Sequence, residues 1–392
     1  MINNTQKNPT RAYDRVRARL NRAVILTIMG SFILAGGFGV NEDAYAGSSY
    51  KWNLSRIGVN KTLHKNAKKK GTNVKVGVLD SLTRCTHKEL KGRCKNWVNK
   101  AGVYKYWGDH GTHVATTIAA SNTGKGGMVG VAPKAYIHNY AVFDDYGWVG
   151  GNATETSAIN HARRRGVRVI NMSYGPSGSV MSLNTYQNIV QRRNQNITFV
   201  IASGNDGVRL RSMAVSVNAY QRMKNVILVG AVGRTKKLFP WSNRPGEGCA
   251  YLNGTCNPKN KYKYFTVVAP GGPIYAGLGN GGYGSAWGTS MAAPHVTGVV
   301  ALLQGYWPVL KSRAGSVTNI IFHTAQDLGK KGVDPVYGWG LVRADRALGP
   351  LGKKYVGKNN KVYSLSASRL KVSPALSALT TQSVTFFDGY DR

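Results

Sequence analysis

The chain has 392 residues, 42% of them hydrophobic, with 53 Lys and Arg against 16 Asp and Glu, a formal net charge of +37. That apolar content excludes a disordered chain and supplies the core of one large domain or two ordinary ones. The charge draws such a surface to an anionic cell envelope or to polyanions. However, the bases are scattered in short runs such as "KNAKKK" and no nucleic-acid motif accompanies them, so no specific nucleic-acid partner is expected.

Residues 1–46 open with a basic segment (Lys7, Arg11, Arg15, Arg17, Arg19, Arg22). They continue through the apolar run "AVILTIMGSFILAGGFGV" and end at "AYA". Those are the parts of a secretory signal peptide cleaved after Ala46. An uncleaved membrane anchor is the competing reading, because the run nearly reaches spanning length. The small-residue end and the glycines favour cleavage. Beyond residue 46, 47 basic side chains face 13 acidic ones, a net charge of +34.

Six apolar, β-branched runs then read as buried parallel strands: "NVKVGVLDS" (73–81), "YIHNYAVF" (136–143), "VRVINMSYG" (167–175), "ITFVIASGNDG" (197–207), "NVILVGAVG" (225–233) and "YFTVVAPGG" (264–272). Helix-like stretches at 111–120, 153–165 and 182–193 separate several of them. The alternation predicts an α/β fold, a doubly wound, mostly parallel sheet with helices on both faces. In such sheets chemistry gathers at the carboxyl ends of the strands, where Asp80, Asn205 and the loop before Ser290 fall.

Export also bears on the four cysteines, Cys85, Cys94, Cys249 and Cys256. An even count in an exported chain favours disulfides, and we expect two local pairs, Cys85 with Cys94 and Cys249 with Cys256, each tying a surface loop. No CxxC spacing supports zinc.

The stretch "GTSMAAPHVTGVVALL" (288–303) repeats apolar residues at Met291, Ala292, Val296, Val299, Val300 and Leu303, the spacing of a helix that packs on one side. Thr289 and Ser290 fall in its first turn. The plain reading is an N-cap. The sharper one is a nucleophile at a positive helix end, where free N–H groups also stabilise an oxyanion. "GDHGTHVATTIAA" places His110 at the start of another helix.

With an acid at a strand end, a histidine and a serine at two helix starts, the sequence resembles the subtilisin-like serine proteases, whose chain order is Asp, His, Ser. The matching motifs are "VGVLDS", "HGTHVA", "INMSYG", "ASGNDG" and "GTSMAAPHVTGVVALL", within 74–348. The resemblance implies a serine endopeptidase acting on protein or peptide substrates, with Ser290 as nucleophile, His110 as general base and acid, and Asp80 as its orienting partner. It implies Asn205 as an oxyanion donor beside the Ser290 N–H. Ser173, Tyr174 and Gly175 on one side, with Gly150 and Gly151 on the other, correspond to strands that sandwich an extended peptide. Ala202, Ser203 and Gly204 correspond to the primary pocket, and His113 and His295 to structural positions.

Leu82 and Thr116 stand where the family has glycine, and Trp287 where a polar residue is common; Trp287 is expected to narrow the leaving-group side. Only 33 residues separate Ala46 from Asp80, too few for a folded pro-domain. The chemistry requires no cofactor. A structural calcium at Glu89 and Asn122 is one expectation; the alternative pairs Glu89 with a Lys or Arg. The 349–392 segment reads as a basic appendage. "DLGKKGVDPVYGWGLVRADRAL" and "SVTFFDGYDR" resemble the closing parts of protease passengers in Gram-negative autotransporters, ahead of their membrane barrel. Two functions result: an exported monomeric endopeptidase, or a catalytically inert basic protein bound to anionic surfaces.

Overall fold

A computed structural model of the chain describes residues 51–66, 71–98, 108–123, 127–143, 151–179, 181–215, 223–251 and 253–351, with short pieces at 355–356, 386–388, 390 and 392. The segment 1–46, Gly150 and most of the 349–392 segment lie outside the described residues.

The strands in chain order are β1 (Lys75–Asp80), β2 (Cys94–Val98), β3 (Tyr136–Ala141), β4 (Val169–Met172), β5 (Thr198–Ala202), β6 (Met213–Ala214), β7 (Val226–Val232), β8 (Ala250–Tyr251), β9 (Thr266–Pro270), β10 (Ile274–Gly277) and β11 (Tyr283–Ala286). Seven form one sheet in the order β2-β3-β1-β4-β5-β7-β9, with every neighbouring pair parallel. The helices are α1 (Trp52–Arg56), α2 (Lys61–Asn66), α3 (Asp109–Ala119), α4 (Gly151–Arg164), α5 (Leu183–Ile189), α6 (Thr289–Tyr306), α7 (Ala314–Thr324) and α8 (Ala344–Leu348).

All six predicted strands are present because their residues are apolar on both faces, as a strand covered on both sides requires. Val200 faces one core with Val114, Ile118, Val296 and Val299; its neighbour Phe199 faces the other with Ile159, Ala162, Tyr186 and Ile189. Strand order reverses between β1 and β4. A crevice opens at such a point beyond the carboxyl ends, and there Asp80 ends β1 and Ser173 follows β4.

Helix α6 departs from expectation. It is buried on every side, from Thr289 to Gly305, rather than along one stripe. Between its large apolar residues stand Ala, Gly and Thr, which let neighbours approach closely. A Cβ on Gly298 would lie 2.4 Å from Val131 Cβ.

Both expected disulfides form, Cys85 with Cys94 and Cys249 with Cys256. Cys94, however, opens the edge strand β2 and Cys249 directly precedes β8, so each bond ties a loop to a strand. Strand β2, "CKNWV", escapes the pattern because an edge strand alternates polar and apolar residues. The β10–β11 hairpin escapes it through glycine. The predicted helix at 182–193 stops at Ile189 and gives way to a 3-10 turn, Arg192–Asn194.

Part of the expected appendage docks. Tyr355–Val356 pairs antiparallel with Phe386–Phe387, and Asp388 and Arg392 form a buried ion pair at 2.8 Å. Asp388 also accepts from the Leu351 N–H at 2.9 Å. Among the described residues no helix is long and apolar enough to cross a membrane.

Candidate active site

Asp80, fully buried, accepts two hydrogen bonds on Oδ1, from the Ser81 N–H at 2.7 Å and from His110 Nδ1 at 2.8 Å. A carboxylate only accepts, so Nδ1 carries the proton and Nε2 is left as the lone-pair face of the ring. Burial is the largest influence on the imidazole and lowers its pKa. The Asp80 charge and hydrogen bond raise it, and together they win, leaving His110 above the ordinary 6.5.

The start of α3 is held against β1 by Ser81. Its Oγ accepts from the Gly111 N–H at 2.9 Å, and a Cβ on Gly108 would fall 2.0 Å from that oxygen. The glycines flanking Asp109 and His110 thus permit the close approach that delivers the imidazole to Asp80.

Ser290 is the second residue of α6. The helix N-cap is Gly288, at φ 148°, and makes no side-chain cap, so the N-cap reading of Thr289 and Ser290 does not hold. The Ser290 Oγ, nearly buried, donates to the Ser173 carbonyl at 2.9 Å rather than to His110. Both the Thr289 N–H and its hydroxyl donate to Asn205 Oδ1, at 2.8 and 2.9 Å. That fixes which end of the amide points away, toward Gly288. A Cβ built on Gly288 would lie 3.5 Å from Asn205 Nδ2 and 3.6 Å from Ser290 N, so these two donors border one space that a side chain would fill.

Sequence reasoning missed Thr289 as the residue that orients Asn205, although it stands beside the serine. It also missed Asn243, whose Oδ1 accepts from the Asp206 and Val208 N–H groups at 3.0 and 3.1 Å and whose Nδ2 donates to the Ser203 carbonyl at 3.0 Å. Nothing in "WSNRP" marks it.

Ser173 is buried, Tyr174 half-buried and Gly175 exposed. The Tyr174 hydroxyl donates to Glu155 at 2.8 Å, and burial raises that carboxyl above its ordinary range. Ala202 ends β5, Ser203 spends its hydroxyl on the Asn243 carbonyl at 3.2 Å, and Gly204 adopts φ 97°. Gly151 begins helix α4 instead of belonging to a strand; Gly150 lies outside the described residues.

Leu82 and Thr116 fit without distortion. Leu82 has no positive φ, so glycine is not needed there, and its carbonyl accepts from the Gly108 N–H at 2.8 Å. The Thr116 hydroxyl donates to the Thr112 carbonyl at 2.8 Å and accepts from the Gly277 N–H at 2.9 Å. Trp287 packs against Gly272, where a Cβ would lie 2.2 Å from its ring. His113 Nε2 donates to the Ile274 carbonyl, and His295 donates from Nδ1 to the Met291 carbonyl and accepts at Nε2 from Asn53. Burial holds both rings down to about 4, neutral supports of the fold.

Glu89 meets neither expectation for it. One oxygen accepts from Ser121 Oγ and the Asn122 and Thr123 N–H groups; the other accepts from Thr123 Oγ1, the Met128 N–H and the Tyr283 hydroxyl, at 2.7–3.3 Å. Arg93 donates to the Glu89 backbone carbonyl instead of its carboxylate. A calcium ion wants oxygen lone pairs, whereas here hydrogens occupy them and Asn122 contributes an N–H, so these residues do not fit the cation.

A sequence profile of the Subtilase family matches residues 71–340. Fervidolysin of Fervidobacterium pennivorans is 32% identical over 319 residues, 78% of this chain and 44% of its own length, so the chain spans less than half of that relative. Subtilisin DY of Bacillus licheniformis is 33% identical over 281 residues, covering 71% of this chain and 92% of its own. Among solved structures, a lanthipeptide protease matches in fold with a TM-score of 0.58 at 24% identity, over 80% of this chain and 97% of that one. Asp80, His110, Asn205 and Ser290 all fall inside the matched stretch, and the chain belongs to the subtilase family of serine proteases.

Proposed function

We propose that the chain is an exported serine endopeptidase in which Asp80, His110 and Ser290 form the catalytic row and Asn205 serves the oxyanion. The observation that carries this reading is the 2.8 Å contact of Asp80 with His110 Nδ1, which leaves Nε2 as the base. Rotation about the Ser290 side chain moves its hydroxyl from the Ser173 carbonyl to that nitrogen. The proton passes to Nε2 as Oγ attacks the scissile carbonyl, and Asp80 stabilises the imidazolium without taking the proton. The carbonyl oxygen, now negative, accepts from Asn205 Nδ2 and the Ser290 N–H, two donors set beforehand. His110 then returns its proton to the leaving amine, and water repeats the sequence to free the acid.

The exposed backbone at Gly175 suits an extended peptide added as a strand, and Ala202, Ser203 and Gly204 are small enough to border a pocket. Export is supported by the pattern of residues 1–46, the two disulfides and the autotransporter-like motifs at 327–348 and 383–392. The +34 charge suits retention at an anionic envelope. The inert alternative keeps the basic charge as a motive but loses the other, since Leu82 and Thr116 are accommodated without distortion. A serine-directed phosphonyl reagent should label Ser290, and Ser290→Ala should abolish hydrolysis of a neutral peptide; labelling of another residue overturns the assignment.

A further inference from the structure

On the far side of the sheet from α6, the edge strands β2 and β3 carry a cluster that the proteolytic site does not use. Parallel pairing sets Lys95 beside His138 and Trp97 beside Tyr140, and α4 brings His161 over them. The Trp97 and His161 rings lie 4.5 Å apart, Trp97 and His138 6.4 Å, and Tyr140 and His161 5.8 Å.

Each of these four residues ends in a shielded polar atom with no hydrogen-bond partner among the described residues: Trp97 Nε1, His138 Nδ1, the Tyr140 hydroxyl and His161 Nδ1. Tyr140 is only 2% exposed. A buried donor without a partner costs free energy, so four in one place ask for something to accept from them. All four are N–H or O–H donors in the appropriate tautomer. Every charged group that acts on the two histidines and the tyrosine is basic: Lys75, Lys95, Arg164 and Arg165. Lys95 and Arg165 stand over the Trp97 ring at 4.7 and 4.5 Å, on exposed side chains free to move aside and then close on a ligand. A metal cation is disfavoured by the same charges and by the indole, which has no lone pair to give.

We propose that Trp97, His138, Tyr140 and His161 bind a phosphate-type oxyanion, with Lys95 and Arg165 as its charged cover. Burial and the surrounding bases hold His138 at about 4, so its ring is neutral and an arriving anion raises its affinity for a proton.

The probe is inorganic phosphate, titrated calorimetrically into the full chain at constant ionic strength, with chloride as control. Saturable binding of one phosphate is expected. Trp97→Phe and Tyr140→Phe, which each remove a single donor and keep an aromatic side chain, should weaken it about tenfold while melting temperature and neutral-peptide hydrolysis stay at wild-type values. A second arm compares phosphatidylcholine vesicles with and without phosphatidylglycerol. The bulk charge draws every variant to anionic vesicles, so a lipid headgroup is identified as the source if the two variants bind them more weakly than wild type. No saturable phosphate binding, or binding that both variants leave unchanged, overturns the proposal and leaves the four atoms to ordinary buried water.

Discussion

Ser173 and Ser290 exchange two hydrogen bonds, each hydroxyl donating to the other's carbonyl at 2.9 Å. The exchange has a covalent cause. Pro294 sits inside α6 and lacks the N–H that would bond the Ser290 carbonyl four residues back, so Ser173 supplies the donor instead. Asn171 Nδ2 donates to Ser173 Oγ at 2.8 Å and Thr297 donates to Asn171 Oδ1 at 2.9 Å, a buried polar chain tying the first turn of α6 to the end of β4.

Ser173→Ala leaves the Ser290 carbonyl and an Asn171 N–H buried without partners. A loss of stability of about 1–3 kcal/mol is expected by denaturant unfolding. Unchanged stability would show that water fills the gap.

The rate of peptide hydrolysis should rise with pH. His110 must be neutral to act as base and its pKa is raised, so kcat/KM should climb through an inflection above 6.5. Asp80→Asn removes the charge, the larger of the two influences that raise it, while burial remains. The inflection should move down, and kcat should fall on the order of 10⁴-fold, as in the corresponding change in trypsin-type enzymes. An inflection that stays put after the substitution would assign it to another group.

Asn205→Ala should lower kcat on the order of 10²–10³-fold with KM nearly unchanged, the range already measured for one such donor in a subtilisin. Thr289→Val removes only the hydroxyl that helps hold the Asn205 oxygen, and should cost less than Asn205→Ala in the same assay. An equal or larger cost would make Thr289 more than a positioning residue.

Glu89→Gln turns an amide N–H₂ toward three donors and should destabilise the fold by at least about 2 kcal/mol. Burial acts to raise the Glu89 pKa, but the bonds from Tyr283, Met128, Thr123 and Asn122 lower it further, below 4.5. A depressed carboxyl stabilises the fold above its unfolded value, and the contribution disappears as pH falls through the folded one. The wild type should therefore lose more stability on acidification than Glu89→Gln. A chelator should leave the wild-type melt unmoved, and a drop of several degrees would restore calcium to this loop.

The strands were legible because each carries its burial on both faces in its own residues, and the positions of Asp80, His110, Asn205 and Ser290 near element ends because each stands in a short motif. Strand β2 and the β10–β11 hairpin were not, since an edge strand and a glycine-rich hairpin take their order from neighbours. The all-round burial of α6 was also hidden: small residues on its outer side read as a polar face until Val131 and the sheet close on them.

Local conformation was thus written in the chain, because residue type and spacing act over a few positions. Partnership beyond the two local disulfides and the Asp80–His110 contact was not. That the Ser290 hydroxyl rests on Ser173, that Thr289 sets the orientation of Asn205, and that Glu89 collects loop donors in place of a cation depend on atoms 117, 84 and about 30 or more residues apart in sequence. Such contacts exist only once the sheet has brought the ends of β1, β4 and β5 to one rim, since hydrogen bonds reach about 3 Å and carry no trace along the chain.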